Sequence, residues 1–247
     1  MKALIYDLEL TDLELKINTY ELKNHTRYFH PDCIERDWSM LGAGWMWLDE
    51  DEPTTVAVSH KDVFNDEKIV RQTHKVLSSA DMLIGHNSDA FDYKKFNTRA
   101  VYHGLPPISP KLSVDTLKMA RKYFKFTSNK LSYLAKFLGV TLKGDSPDWE
   151  LIKAGDRAEI KKMREYNALD CITTKEVYLK LRSFHHTHPS MNNPAVRDIE
   201  GNTVKVCRQC LSPRLRNVKT RYTNAGIARR QYQCRECRTY TTMERIK

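Results

Sequence analysis

Three acidic groups and one cysteine group carry the chemistry open to this chain. The first is Asp7-Leu8-Glu9, two carboxylates one residue apart, directly after the apolar run Ala3-Leu4-Ile5-Tyr6. A run that short reads as a buried central strand rather than a helix. Strand side chains alternate, so positions 7 and 9 point the same way. Carboxylates aimed together repel unless a cation lies between them, and hard ions such as Mg²⁺ or Mn²⁺ take oxygen ligands of this kind. The same spacing at Asp12–Glu14 and Asp148–Glu150 follows no apolar strand and reads as solvated charge.

A metal site needs more acids, and two further stretches supply them. Asn87-x-x-x-Phe91-Asp92 lies where the short apolar run Met82-Leu83-Ile84 meets a helix. There Asp92 falls in the helix's first turn and Phe91 can anchor it, whereas Asp89 suits a plain dipole role. Tyr166 and Asp170 are four apart on a helix and share one face. Their neighbours Ala168, Leu169 and Ile172 are apolar, which makes an acid there costly without a cation or donors. Tyr28 and Asp32 repeat the spacing, but Pro31 between them rules out a helix.

These residues have to be positioned by a fold. Further strands are expected over 40–48, 54–59, 82–84 and 112–114. Helices are expected over 63–79, 90–103, 116–123 and about 157–184. Another helix, capped by Thr127-Ser128-Asn129, should end at Gly139. Early strands followed by β/α alternation indicate an α/β domain with a mixed sheet flanked by helices. Residues 185–204 have little periodicity and read as a linker, dividing the chain into 1–184, 185–204 and 205–247.

Composition fits one sizeable soluble domain and a small one: 247 residues, 40% hydrophobic and 29% charged. Nothing resembles a signal peptide or a run of roughly 20 apolar residues, so a cytoplasmic protein is expected. The net charge of +10 is uneven: residues 201–247 hold 12 Lys/Arg and two acids, leaving 29 of each in 1–200. A basic module beside a neutral one suggests a polyanion, most often nucleic acid.

That basic module contains Cys207-x-x-Cys210 and Cys234-x-x-Cys237, 23 residues apart, a four-thiolate Zn²⁺ spacing. Between the pairs a hairpin is expected, turning at Thr223–Gly226. A module of about 45 residues buries little core, so a tetrahedral zinc would supply its folding energy. Two disulfides are the rival arrangement, which a reducing cytoplasm disfavours. Arginines among Tyr222, Tyr232 and Tyr240 suit phosphate contacts and stacking on single strands. The module looks like a zinc ribbon.

In order and spacing, Asp7-x-Glu9, Asn87-x-x-x-Phe91-Asp92 and Tyr166-x-x-x-Asp170 resemble the three motifs of the DEDDy 3′–5′ exonucleases. That family includes polymerase proofreading domains and stand-alone, often phage-encoded enzymes. Ser113–Leu117 and Ser128–Leu134 also look like the stand-alone members, and the resemblance covers roughly residues 2–184. Glu165 stands where the histidine subclass would have histidine.

The resemblance implies a ribonuclease H-like fold, with Asp7, Glu9, Asp92 and Asp170 holding two Mg²⁺ or Mn²⁺ ions roughly 4 Å apart. Tyr166 would orient the attacking water. Leu13 sits where proofreading domains place an apolar wedge, although simple packing accounts for it equally. Asn87, Phe91 and Lys130 would touch the strand, and Leu10, where many members have threonine, alters contacts to the terminal nucleotide. DNA 3′ ends or single-stranded DNA are the expected substrate, with RNA 3′ ends as the alternative and a non-catalytic nucleic-acid adaptor as a third reading. Since 247 residues leave no room for a polymerase domain, proofreading is expected to act in trans with a polymerase or a replication or recombination protein.

Overall fold

A computed structural model describes residues 2–16, 30–185, 188–189, 204–207, 209–210, 212–223 and 225–245. The elements run β1 (Ala3–Leu10), β2 (Glu14–Leu15), β3 (Ile34–Arg36), β4 (Met40–Trp47), β5 (Thr54–Ala57), α1 (Glu67–Ser79), β6 (Met82–Gly85) and α2 (Asp92–Tyr102). They continue with β7 (Leu112–Asp115), α3 (Thr116–Tyr123), α4 (Leu131–Leu138), α5 (Trp149–Lys153) and α6 (Arg157–Leu181). The C-terminal strands are β8 (Leu215–Tyr222), β9 (Ala228–Cys234) and β10 (Tyr240–Arg245). Most of the expected 185–204 linker lies outside the described residues. Among the described residues, no helix is long and apolar enough to cross a membrane.

The main sheet has the order β5-β4-β1-β6-β7. Its centre, β1, pairs antiparallel with β4 and parallel with β6, so the sheet is mixed. Alternation along β1 feeds two cores. Leu4, Tyr6 and Leu8 pack with Met40, Ile69 and Phe96, while Ala3 and Ile5 pack with Met82, Ile84, Met119 and Tyr178. Helices therefore cover both faces, as in an RNase H-like fold. β8, β9 and β10 form a separate antiparallel sheet in the order β10-β9-β8.

Several boundaries follow side-chain chemistry. Asp115 caps α3 by accepting the Leu117 N–H at 2.9 Å, and Gly139 ends α4 at φ 63°, a left-handed conformation that glycine adopts without cost. α1 starts at Glu67 rather than Val63. Its N-cap, Asp66, makes no capping bond because its fully buried carboxylate takes the Met40 N–H (2.9 Å), Arg99 (2.6 and 2.7 Å) and His103 (2.6 Å). The residue before α4 is Lys130, and Ser128 only accepts its N–H at 3.3 Å, so the Thr127–Asn129 cap shifts by one residue. Both acids of Asp148-Trp149-Glu150 are exposed, as expected of solvated charge, and Asp148 in addition caps α5 by accepting the N–H groups of Glu150 (3.0 Å) and Leu151 (3.1 Å).

Candidate active site

Asp7 and Glu9 lie on the face of β1 that carries Ala3 and Ile5, the face α6 packs on. Opposite Asp7 in the antiparallel register stands Gly44, and the pairing slips between Glu9 and Leu10. α6 answers with Tyr166, Asn167 and Asp170, which lie on one stripe of the helix. One oxygen each of Asp7, Glu9 and Asp170 lie within 4.8 Å of one another.

Asn167 holds the pair on β1 in place. It is buried, and its Nδ2 donates to Asp7 Oδ2 at 2.8 Å and to Glu9 Oε1 at 3.5 Å. Its carbonyl end occupies the space above Gly44, where an added Cβ would come 2.3 Å from Asn167 Oδ1. Gly44→Ala should therefore force the amide off Asp7 and, by misplacing the carboxylates, lower any hydrolytic rate roughly 10²-fold with little loss of folded protein. Activity and thermal melts of that variant, measured together, check this.

Asp92 is buried in the first turn of α2 and falls outside the 4.8 Å group, and its Oδ1 accepts the Leu8 N–H at 3.3 Å. It thus stands against β1 between the two acids of that strand. The loop before it is braced by Asp115, whose oxygens accept the N–H groups of Asn87 (3.0 Å) and Asp89 (3.3 Å). Asn87 adopts φ 65°, a left-handed turn that asparagine tolerates. Asp89 itself pairs with Lys118 at 2.7 Å and serves the scaffold.

The electrostatics are those of a site short of positive charge. Burial, then repulsion from Glu9, Asp92 and Asp170, pushes the Asp7 carboxyl well above the carboxylate range. Burial, then Asp170, pushes Glu9 up to about 8, and burial lifts Asp92 to about 7. Asp170 is also raised by burial, although Lys143 opposes the shift. Lys143 Nζ donates to Asp170 Oδ2 at 2.6 Å and to Tyr166 OH at 2.9 Å. Burial would lower the Lys143 pKa, but Asp170 and Tyr166 outweigh it and raise the value. Among the described residues, one ammonium against four carboxylates leaves a deficit, and Asp170 Oδ1 is buried without a partner. An all-oxygen cluster with an orphaned carboxylate oxygen fits a hard divalent cation.

Asn87 and Lys130 meet in a cleft of about 640 Å³ whose walls also include His86, Arg121, Lys143 and Tyr166. Leu10, Leu13 and Phe91 are not brought into it. Leu10 packs on the core and Leu13 is 42% exposed. Phe91, 44% exposed, has Lys95 Nζ 5.7 Å from its ring centroid, and Lys95 also stands 3.8 Å over Trp38. Reasoning from sequence missed Lys143 and Asn167. For Asn167 the signal was there, since it precedes Asp170 by one helical turn. Lys143 lies in the segment between α4 and α5, and no spacing rule ties it to the acids.

Cys207, Cys210, Cys234 and Cys237 place their sulfurs within 4.8 Å of one another, unbridged, with the 207/237 and 210/234 pairs each at 3.5 Å. Zn–S bonds of about 2.3 Å put tetrahedral sulfurs about 3.8 Å apart, so the cluster suits zinc. An all-thiolate set leaves no open position for a reacting ligand.

A family model described as RNase_H superfamily matches residues 37–182, a range that holds Asp92, Lys143, Tyr166 and Asp170. The DNA polymerase of Archaeoglobus fulgidus is 27% identical over 191 residues, covering 66% of this chain and 24% of the polymerase. The family B DNA polymerase of the hyperthermophilic archaeon Pyrobaculum calidifontis superposes with a TM-score of 0.54 at 13% identity, covering 74% of this chain and 25% of that one. This chain thus spans about a quarter of each polymerase, and the second likeness speaks for the fold alone.

Proposed function

The chain belongs to the RNase H superfamily, and from that premise we propose that it is a metal-dependent 3′–5′ exonuclease of the DEDDy type acting on DNA 3′ ends. The observation that carries this is the convergence of Asp7, Glu9 and Asp170 within 4.8 Å, with Asp92 bonded to the backbone between the two acids of β1. These four residues would hold Mg²⁺ or Mn²⁺, which would supply Lewis-acid stabilisation of the phosphoryl charge and lower the pKa of the attacking water.

The protein's own groups do the rest. Asn167 fixes Asp7 and Glu9, and Lys143 fixes Asp170 and Tyr166. Because the Tyr166 hydroxyl accepts from Lys143, its own proton is free to orient a water. Burial raises the Tyr166 pKa against the pull of Lys143, so the phenol keeps that proton near neutrality and acts by positioning. The third proton of Lys143 has no acceptor among the described residues and is available to a phosphate oxygen. Tyr166→Phe should lower the rate roughly 10²-fold and leave the pH profile unchanged in shape. A high-pH rise present in the wild type and missing in Tyr166→Phe would make the phenol a base instead.

The basic C-terminal module is read as a zinc-stabilised nucleic-acid grip, carried by residues 205–247 beyond a nuclease domain of 1–184. The purified chain should hold about one zinc, and Cys207→Ser should remove it without stopping the trimming of short strands. Elemental analysis beside a trimming assay measures both. The likeness to DNA polymerases supports DNA as the polymer. Matched 3′- and 5′-labelled DNA and RNA strands with Mg²⁺ or Mn²⁺ test the whole reading. The 3′ label should leave at once as a mononucleotide while the 5′ label descends a ladder. Faster loss from RNA would change the substrate class, and internal cuts alone would reject the exonuclease.

A further inference from the structure

Residues 116–144 hold seven Lys/Arg and no acid, although the first 200 residues balance overall. Two of the seven are spoken for, Lys118 by Asp89 and Lys143 by Asp170. The other five, Arg121, Lys122, Lys125, Lys130 and Lys136, have no acidic partner among the described residues and are exposed. A surface so one-sided attracts a polyanion.

Threaded through this segment is a line of rings. Tyr133 lies 6.1 Å from Phe137, Phe137 5.2 Å from Phe126, Phe126 5.0 Å from Phe124, and Phe124 5.1 Å from Phe184. If they served only to pack on one another they would be covered, yet Phe137 is 63% and Phe184 54% exposed. The line has defined ends. Lys130, a wall of the active-site cleft, precedes Tyr133 and Phe137 by three and seven residues, the spacing of one helix face. Phe184 closes the turn after α6 in which the Arg182 carbonyl accepts from Gln209. Gln209 is itself buried beside Cys207, whose Sγ accepts its backbone N–H at 3.4 Å.

We infer that this ridge carries single-stranded nucleic acid from the active-site cleft to the cysteine module, with bases stacking on the exposed rings and phosphates on the unpaired lysines. Charge and shape identify the occupant. A strand with an anionic backbone and flat apolar bases matches alternating cations and ring faces, in the manner of single-strand binding surfaces. The inference rests on the exonuclease reading for the direction of the strand but not for its affinity.

The test uses the full chain with Phe137→Ala, and separately Lys125→Ala with Lys136→Ala. Both changes lie on the surface and leave the acids and the cleft intact. Affinity is measured for strands of about 4 and about 15 nucleotides at several salt concentrations, beside release of the 3′ nucleotide from the short strand. A 2-aminopurine a few nucleotides from the 3′ end reports stacking. Phe137→Ala should weaken the long strand roughly tenfold and restore the quenched fluorescence. The double change should flatten the salt slope by roughly 0.7 per lost phosphate contact. Neither should alter handling of the short strand. Unchanged long-strand affinity and salt slope in both variants overturn the ridge, as does an equal loss for both lengths. If the wild type cleaves no strand at all, the nuclease reading fails while the affinities still decide the ridge.

Discussion

Asp7→Ala should reduce hydrolysis by roughly 10³-fold or more, the scale expected when metal-borne stabilisation of several kcal/mol is lost. The same change should leave the metal-free protein as stable as before, or more so. Asp7 is pushed toward its neutral form by burial and by Glu9, Asp92 and Asp170, so deleting it relieves a repulsion. What it costs the fold is one acceptor, since Asn167 Nδ2 sits 2.8 Å from it and keeps only the 3.5 Å contact to Glu9. A loss of activity joined to a gain in melting temperature separates a functional acid from a structural one. Asp66 is the internal contrast: it is wholly buried, bonded to Arg99 and His103, and held below the usual carboxylate range because those bonds outweigh its burial. Asp66→Ala should destabilise the fold first. Wild-type cleavage by Asp7→Ala would reject the site, whatever holds for the fold.

Features set by local chemistry were legible in the sequence. The alternation of β1, the Asp115 cap of α3 and the Gly139 stop of α4 depend on neighbours in the chain and lie where the pattern put them. The placing of Asp7, Glu9 and Asp170 together was implied by the resemblance of their motifs, in order and spacing, to the DEDDy exonucleases; the residues alone said only that each acid needed a cation or donors. Contacts between distant segments were not legible. Lys143 reaches Asp170 across 27 positions, and Asn167 reaches Asp7 across 160. The short β2–β3 pair has three exposed residues in β3 and no periodic signal. Leu10 turns to the core with Leu4, Tyr6 and Leu8, where the alternation of β1 places it, so the strand pattern itself argued against the nucleotide contact that the resemblance implied. Charge misled through averaging: a balanced total over 200 residues concealed an acid-free stretch beside the site.

Divalent metal should stabilise the protein strongly above neutrality and hardly at all in acid. In the folded chain Glu9 titrates at about 8 instead of 4.5 and Asp92 at about 7 instead of 3.8, both through burial first. Both values are raised, so between the ordinary and the raised pKa the folded state holds protons that the unfolded chain has released. Stability then falls as pH rises, and the fall is complete above the folded values of about 7 and 8. The metal-free melting temperature should accordingly decline from about pH 5 to about pH 8. Metal reverses the sign in that window, because only ionised carboxylates bind it and its binding expels the retained protons. At 100 times its dissociation constant a single ion adds about 2.7 kcal/mol, or roughly 5–10 °C for a chain of this size. Near pH 5 the protons win and the shift should almost vanish. Melting curves with Mg²⁺ or Mn²⁺ and with chelator, at both pH values, read this directly. Any zinc bound by the cysteine module would confuse the comparison once the chelator stripped it, so Asp7→Ala is melted in parallel. A metal-dependent rise of equal size at both pH values, or one that survives intact in Asp7→Ala, would place the ion elsewhere.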